Sequence, residues 1–560
     1  MGLFSWYNLP QIAGLLKLNT FRNRMREDNL HDTEKLPPNR SLADAPPPTP
    51  HQKAARTADG AYNDLSLPRM GSAGMRFGRN FPLDQVIADE SLLMFPTPRL
   101  ISNKLMTRDS FIPATTLNVL AAAWIQFQVH DWFSHGNEPE DASPHVVPLP
   151  ANDDWPHPQM KISRTQRDRT RPADDTTKPN SYQNTETHWW DGSQLYGSNA
   201  AIQQRIRSFV DGKLVLGADG LLPVDPVSNV DITGVNSNWW VGLSMLHTLF
   251  TMEHNAICDE LKKANPTWSD EELFSHARLV NAAVMAKIHT VEWTPGILAH
   301  PTIETGMNNN WNRIRESEQE HHAAPFSMTE EFVSVYRMHP LMPDDFVFRS
   351  LSSGQVIEQR GLDKVANRHS REVMTSVSLV DLFYSFGVTN PGAITLHNYP
   401  KHLQSLKLNG EVKMDLAAVD ILRDRERGVP RYNRFRELLE MDRIEKFEDL
   451  SDNQQWCEEA REVYGGDIDL VDAMVGMFAE PLIEGFGFSE TAFRIFLLMA
   501  SRRLQSDRFF TTDYNEATYT KAGLDWIEDA TMTKVLLRHL PQLQPILKTV
   551  ENAFAPWPSA

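Results

Sequence analysis

The chain has 560 residues, with 55 basic against 73 acidic side chains and a formal charge of -18 at pH 7. Hydrophobic residues at 41% and charged residues at 23% are ordinary globular values, which exclude disorder or collagen-like repetition of the whole. At roughly 150 residues per domain the length allows three or four units, or one large core with appendages.

In chain order, residues 1–30 carry Leu9, Ile12, Leu15, Leu16 and Phe21, followed by Arg22, Arg24 and Arg26. The pattern predicts an amphipathic helix within 1–35 that either lies in a membrane interface, admitting a lipid substrate, or packs on its own protein. The prolines of LPPNRSLADAPPPTP remove donors and fix the backbone, so 36–80 reads as an extended arm. A second polar, Pro-rich stretch runs from Asp141 to Thr187. Apolar residues at three- and four-residue spacing predict helices over Leu117 to Phe133, Trp240 to Lys263, Asp270 to His289, Glu331 to Met338, Asp415 to Arg427, Tyr432 to Leu439 and Thr491 to Leu504. Alternating strands are scarce, so the fold class is mainly α, with one helical body over 81–560. No GxGxxG after a strand, no GxxxxGK[ST] loop and no repeat occurs, which sets nucleotide-dependent classes aside. Net acidity without a long Lys/Arg run leaves no nucleic-acid partner expected. Cys258 and Cys457 are too few for a disulfide framework and suit a reducing compartment. With no long apolar run and no secretory layout, the expected location is cytoplasmic or peripheral to a membrane, not secreted.

Four constellations carry chemistry. In LNVLAAAWIQFQVHDWFSHG, Gln126 and His130 share one helix face, while Asp131 points about 100° away. Taken alone, such a histidine is ordinarily a satisfied core residue. In THWWDGSQLYGSN, Thr187, Trp189, Asp191 and Ser193 alternate along a loop, so oxygens at every other residue can converge on Ca²⁺, with Asp131 closing the shell. The ordinary alternative is an Asp-Gly turn. In EEFVSVYRMHPLMPDDF, Tyr336 and His339 lie three apart before Pro340. A neutral imidazole is a good axial ligand for haem iron, and a tyrosine one turn away could become a radical that abstracts hydrogen. As a bare pattern Tyr-x-x-His is common. Finally, AKIHTVEWTP holds His289 and Thr294, and SRRLQSDRFF holds Arg502, Arg503 and Arg508. An imidazole, a hydroxyl and a guanidinium can hold a carboxylate, although surface ion pairing is the ordinary reading for Arg502 and Arg503.

Taken together and in order, QFQVHD, THWWDGSQLYGS, LHTLFTMEHN, KIHTVEWT, EFVSVYRMHPLMPD, RDRERGVPRYN and RRLQSDRFF resemble the fatty-acid α-dioxygenases of the peroxidase-cyclooxygenase haem superfamily. The resemblance covers residues 80 to 545 and implies an animal haem-peroxidase-like helical fold, with haem buried between core helices and 81–560 as the catalytic domain. By that likeness His130 is the distal histidine with Gln126 beside it, His339 is the iron ligand and Tyr336 is the radical site. Asp131, Thr187, the Trp189 carbonyl, Asp191 and Ser193 match calcium ligands, and His289, Thr294 and Arg508 match the residues that hold the carboxylate. Val129 before His130, and Trp239-Trp240, stand where more distant peroxidases carry the acidic residues that esterify haem. Noncovalent haem b is therefore implied. The alignment places Asp420 beside the proximal imidazole, where a hydrogen-bonded carboxylate would make it a stronger donor.

The activity implied is tyrosyl-radical hydrogen abstraction at C2 of a long-chain fatty acid, followed by O2 insertion to a 2(R)-hydroperoxy acid that can lose CO2 to a shortened aldehyde. The rivals are a mid-chain dioxygenase or plain haem peroxidase of the same superfamily, and a haem-binding or helical interaction protein without turnover. A zinc hydrolase is weakest, because His247 and His254 lack HExxH spacing.

Overall fold

The computed structural model describes residues 5–33, 45–138, 143–168, 179–408 and 411–559. Residues 36–44 of the Pro-rich arm lie outside these, as do 141–142 and 169–178 of the second Pro-rich stretch. The elements that position the site are α1 (Gln11–Asp28), α2 (Val119–Trp132), α3 (Val241–Ala264), α4 (Asp270–Ile288), α5 (Pro301–Ile314), α6 (Glu330–Val335), α7 (Leu416–Glu426), α8 (Tyr432–Leu438) and α9 (Glu490–Gln505). The described strands form three antiparallel hairpins, β1–β2 (His145–Val147, Met160–Ile162), β3–β4 (Asp345–Arg349, Val356–Gly361) and β5–β6 (Leu406–Leu408, Glu411–Met414).

Local chemistry explains where the core helices begin. Asn118 caps α2, its Oδ1 accepting from Ala121 N at 3.1 Å while its amide donates to Ala553 O and Ala555 O at 2.8 Å each, so the same side chain ties down the C-terminal segment. The helix that follows is nearly all apolar and buried, as a helix in the middle of a large core must be. Ser269 and Glu272 form a reciprocal capping box at the start of α4, and Asp270, Glu271 and Glu272 complement the helix dipole.

Two helices end differently from the periodicity, and proline is the reason both times. α6 stops at Val335, and Tyr336 takes φ -93°, ψ 14°. Continuing the helix would drive the Pro340 ring into the Tyr336 carbonyl four residues back. At the end of α4, Pro295 raises the same conflict with Val291, and the chain answers with a π-turn over His289–Trp293, closed by Thr294 N on His289 O.

The N-terminal helix packs on its own protein along one side. Leu18, Phe21 and Met25 are buried, and Gly14 lets the backbone approach Thr302 of α5, where an added Cβ would lie 3.2 Å from a methyl group. Arg26 is buried too, donating to Leu498 O and Ser501 Oγ of α9 at 2.9 Å each. The opposite side leaves Ile12 75% and Leu16 64% exposed. No helix among the described residues is long and apolar enough to cross a membrane.

Candidate active site

His130 sits in the last turn of α2, buried, with no hydrogen-bond partner for Nδ1 among the described residues. Burial lowers its pKa to about 4, so the imidazole is neutral at physiological pH. His247 of α3 lies near enough for its own pKa, lowered first by burial, to be lowered further by the His130 charge. Thr233 Oγ1 meets both Gln194 O at 2.7 Å and His247 Nδ1 at 2.8 Å. Because a carbonyl only accepts, the hydroxyl proton goes to Gln194. His247 Nδ1 then carries the proton it donates to Thr233, and the buried, unpartnered His247 Nε2 is left as a lone pair. Gln126 has both ends of its amide engaged, Oε1 accepting from Trp240 Nε1 at 2.7 Å and Nε2 donating to Asn238 O at 3.1 Å.

His339 lies just beyond α6. Its Nδ1 donates to Asp420 Oδ2 of α7 at 2.7 Å, and its side chain remains 35% exposed although Asp420 is buried. The imidazole is thus anchored by one nitrogen, with Nε2 free. Tyr399 Oη donates to the same Asp420 Oδ2 at 2.9 Å, and Arg337 Nη1 donates to Oδ1 at 2.5 Å. Burial works to raise the Asp420 pKa, but His339 and Arg337 outweigh it and hold the group below its ordinary value.

Tyr336 is buried and its hydroxyl has no partner among the described residues. Burial pushes the phenol pKa up, against the opposing charge of Arg503. The Tyr336 ring stands edge-on to Trp132 at 5.4 Å, and the His289 ring does the same at 5.1 Å. His289 Nδ1 accepts from Trp124 Nε1 at 3.3 Å, which places the ring proton on Nε2. That atom is buried, with no partner among the described residues. Burial, then the charge of Arg503, pushes the imidazole pKa well down, so Nε2–H is a neutral donor.

Trp190, His289, Thr294, Met307, Phe496 and Arg503 are among the residues around a small cavity. The Thr294 hydroxyl currently donates to His289 O across the π-turn at 2.9 Å. Arg503 of α9 is the unusual group here. Its side chain is 1% exposed, its three nitrogens have no hydrogen-bond partner among the described residues, and its guanidinium lies 3.8 Å from the Trp132 ring centroid and 4.3 Å from that of Trp190. Burial lowers its pKa to about 10, which still leaves it charged at neutral pH. Cation–π contact recovers roughly 2 kcal/mol per desolvated site, less than an uncompensated buried charge costs. The arrangement calls for an anion.

Arg508, expected at the carboxylate, is placed elsewhere. It pairs with Asp513 and donates to Lys53 O at 2.8 Å and Gln52 O at 3.0 Å, pinning the N-terminal arm. Nor are Arg502 and Arg503 surface ion pairs, since both are 1% exposed and Arg502 donates to Ala324 O at 2.6 Å.

Of the residues expected to form an oxygen cluster, Asp131 is linked to Ser193 and Thr187 to Asp191, all four buried. Asp131 Oδ1 accepts from Ser193 N at 2.5 Å and Ser193 Oγ at 3.0 Å, and Thr187 Oγ1 donates to Asp191 Oδ1 at 3.0 Å. Asp131 Oδ2 has no partner among the described residues. Burial, then the charge of Asp191, pushes the Asp131 pKa well up, and burial raises Asp191 against the pull of Arg278. Trp189 lies buried in the same loop, its ring nitrogen donating to Gly60 O at 2.9 Å. Among the described residues no group of three or more His, Cys, Asp or Glu side chains is arranged to hold a metal. This cluster has two carboxylates, and its other oxygens are hydroxyl and carbonyl.

Residues 55–554 match the animal haem peroxidase family model, and the chain belongs to that family of haem proteins. Within that family it falls among the alpha-dioxygenases. It is 39% identical to alpha-dioxygenase PIOX of Nicotiana tabacum, over 99% of this chain and 90% of the relative. Its fold matches a crystal structure of a tyrosine-to-phenylalanine variant of Oryza sativa fatty acid alpha-dioxygenase with palmitic acid, at TM-score 0.91 and 36% identity, covering 99% of this chain and 94% of that one. Peroxidase A from Dictyostelium discoideum, at TM-score 0.72 and 20% identity over 86% of this chain and 96% of its own, shares the fold.

Trp132, Tyr399 and Arg337 were not singled out from the sequence, Arg503 was read as an ordinary surface ion pair, and His247 was weighed only as a zinc ligand. For Arg503 one signal was available: it falls four residues after Met499 and three after Ala500, on the buried face of its helix.

Proposed function

We propose that the protein is a haem-dependent fatty-acid α-dioxygenase. The single observation that carries this reading is the buried guanidinium of Arg503, without a hydrogen-bond partner among the described residues, on the same cavity as the Nε2–H donor of His289, with Tyr336 across the Trp132 ring. A cation and a neutral donor at a cavity lined by Met307 and Phe496 suit a carboxylate with an apolar tail. The solved relative with palmitic acid, 36% identical, supports the same substrate class.

The chain's residues fit haem. His339 has Nε2 free because Asp420 takes Nδ1, so His339 would hold the iron. His130, neutral through burial, would line the haem pocket together with Gln126. Val129 and the Trp239-Trp240 pair offer no carboxylate for an ester bond, and noncovalent haem b follows from that chemistry. When bound, haem supplies the one-electron oxidising power that activates Tyr336.

Each remaining role belongs to the protein. His130 has a lone pair to take the proton of a hydroperoxide. Arg503 and His289 Nε2–H grip the carboxylate, and the Thr294 hydroxyl adds a third donor by turning from His289 O. Every methylene of an alkyl chain is chemically alike, so pinning the head group is what selects C2. The Tyr336 phenoxyl takes a hydrogen atom from C2, becoming a phenol and leaving a carbon radical. O2 adds there, and the peroxyl radical recovers hydrogen from Tyr336 Oη, giving the 2(R)-hydroperoxy acid and regenerating the phenoxyl. Among the described residues no hydrogen bond to Tyr336 Oη diverts this reactivity.

We place Ca²⁺ between Asp131, Thr187, the Trp189 carbonyl, Asp191 and Ser193. The buried, unpartnered Asp131 Oδ2 and its repulsion with Asp191 support a cation, since hard oxygen donors suit calcium. A cytoplasmic or peripheral location is retained, with Leu9, Ile12 and Leu16 of the N-terminal segment meeting a lipid surface. Their exposure supports it.

The test is an oxygen-electrode assay with palmitate, followed by mass spectrometry. Uptake with a 2-hydroperoxide and an aldehyde one carbon shorter is expected. Oxygen at a mid-chain carbon, or no uptake, would overturn the reading.

A further inference from the structure

The carboxylate beside His339 is not a free anion. Asp420 Oδ2 receives His339 Nδ1–H at 2.7 Å and Tyr399 Oη–H at 2.9 Å, and Oδ1 receives Arg337 Nη1 at 2.5 Å. Arg337 is itself oriented by a second bond, Nε to Asp424 Oδ1 at 3.1 Å, and Asp424 is steadied by Ser334 Oγ at 2.7 Å. The guanidinium therefore lies between two buried carboxylates of α7 while belonging to the short segment that also carries Tyr336 and His339.

A carboxylate that accepts from a ligating imidazole pulls on its N–H and makes the other nitrogen a stronger donor. That pull weakens when other donors share the carboxylate's charge. Here a guanidinium and a phenol share it, so Asp420 acts on His339 more like a neutral amide oxygen than like a bare anion.

We propose that Arg337 is a positioning residue that sets the donor strength and orientation of His339 by neutralising Asp420, with Tyr399 in a secondary part. The proposal rests on the reading of His339 as the haem ligand. It adds to that reading a determinant of the haem potential, located two residues from the ligand and acting through Asp420.

The test uses the haem-loaded protein and two readouts other than turnover: the ferric/ferrous midpoint potential and the ferrous iron–histidine stretching frequency. In Arg337→Gln the carboxylate is unshielded. The one-electron equilibrium should shift toward ferric by tenfold or more, about 59 mV to more negative potential, and the stretch should rise. Tyr399→Phe should move both in the same direction by less. Arg337 Nη2 is buried without a partner among the described residues, so its charge could also act on the porphyrin directly. The Asp420→Asn background separates the two routes. There the Arg337→Gln shift should fall to a third or less, and an undiminished shift overturns the proposal, as does a wild-type potential and stretch in Arg337→Gln. If Arg337→Gln fails to take up haem, Tyr399→Phe decides: a negative shift supports the proposal and an unchanged potential overturns it. Failure of the underlying reading shows separately, as an unaltered haem spectrum in His339→Ala.

Discussion

Replacing Arg503 by Met should separate substrate binding from stability in a way few buried charges allow. The guanidinium is buried without a hydrogen-bond partner among the described residues, and its pKa is lowered from 12.5 to about 10, chiefly by burial. That depression corresponds to about 3 kcal/mol against the charged form at pH 7. A base whose folded pKa lies below its unfolded value costs stability at every pH beneath the folded value, and the cost fades as pH rises through the interval between them. The substrate-free Arg503→Met variant should therefore melt no lower than wild type at pH 7. Binding should move the other way. Charge-assisted bonds to a carboxylate contribute about 1.5–3 kcal/mol each, and losing a bidentate grip costs about 3–4 kcal/mol, a few hundredfold in KM for palmitate. Arg508→Met is the contrast, because it loses Asp513 and the carbonyls of Gln52 and Lys53. It should melt lower while its folded fraction keeps the wild-type KM. Differential scanning fluorimetry and oxygen-electrode kinetics on both variants make the comparison. A wild-type KM in Arg503→Met, or a KM defect confined to Arg508→Met, would refute the assignment.

Other outcomes follow from the same geometry. Tyr336→Phe removes only a hydroxyl without hydrogen-bond partners, so haem uptake and melting should stay at wild-type values while palmitate-dependent oxygen uptake falls at least a thousandfold, about 4 kcal/mol in barrier. Trp124→Phe frees His289 Nδ1 from its donor and lets the ring proton leave Nε2, which should raise KM for palmitate roughly tenfold, for about 1.4 kcal/mol. Glu292, in the π-turn, accepts from Met532 N at 3.0 Å, and burial raises its pKa to about 7. Because this folded pKa exceeds the unfolded value near 4.5, the group's contribution is intact at pH 4 and is lost as pH climbs through 7. Glu292→Gln should therefore match wild type near pH 4 and exceed it at pH 8 by at most ~3 kcal/mol, read from denaturant melts. Chelating calcium should lower the melting temperature of wild type at pH 7, and Asp131→Asn, which removes one of two mutually repelling carboxylates, should shrink that response. An equal response in both would exclude Asp131 as a ligand.

Much of the molecule was legible in its residues. The predicted helix over Asp270 to His289 is observed as Asp270–Ile288, and that over Trp240 to Lys263 as Val241–Ala264, because long apolar periods report burial directly. The constellations around His130, the Thr187–Ser193 loop, Tyr336, and His289 with Thr294 are each buried, while His339 beside Tyr336 remains 35% exposed. Arg503 was visible but read as a surface cation, and the reason is physical. Three arginines fall within seven positions, and a sequence does not state where its last helical turn ends. Sequence habit also assigns arginine to the surface, and a guanidinium buried without a partner departs from that habit only when a ligand is meant to complete it. Arg337 was hidden differently. Its partners Asp420 and Asp424 lie more than eighty residues away, and only the packing of α7 against the end of α6 brings them together.

The π-turn at His289–Trp293 has a consequence for how such a site can be altered. An α-helix rotates about 100° per residue, so residues five apart would face roughly 140° away from each other. Here one additional residue in the winding puts the imidazole and the Thr294 hydroxyl on a common wall of the cavity. Head-group recognition is thus encoded in the pitch of the main chain as much as in the choice of side chains. Deleting one position of that turn would unregister the pair while leaving every functional group in place, a route to retargeting which carbon is oxidised that point substitution does not offer.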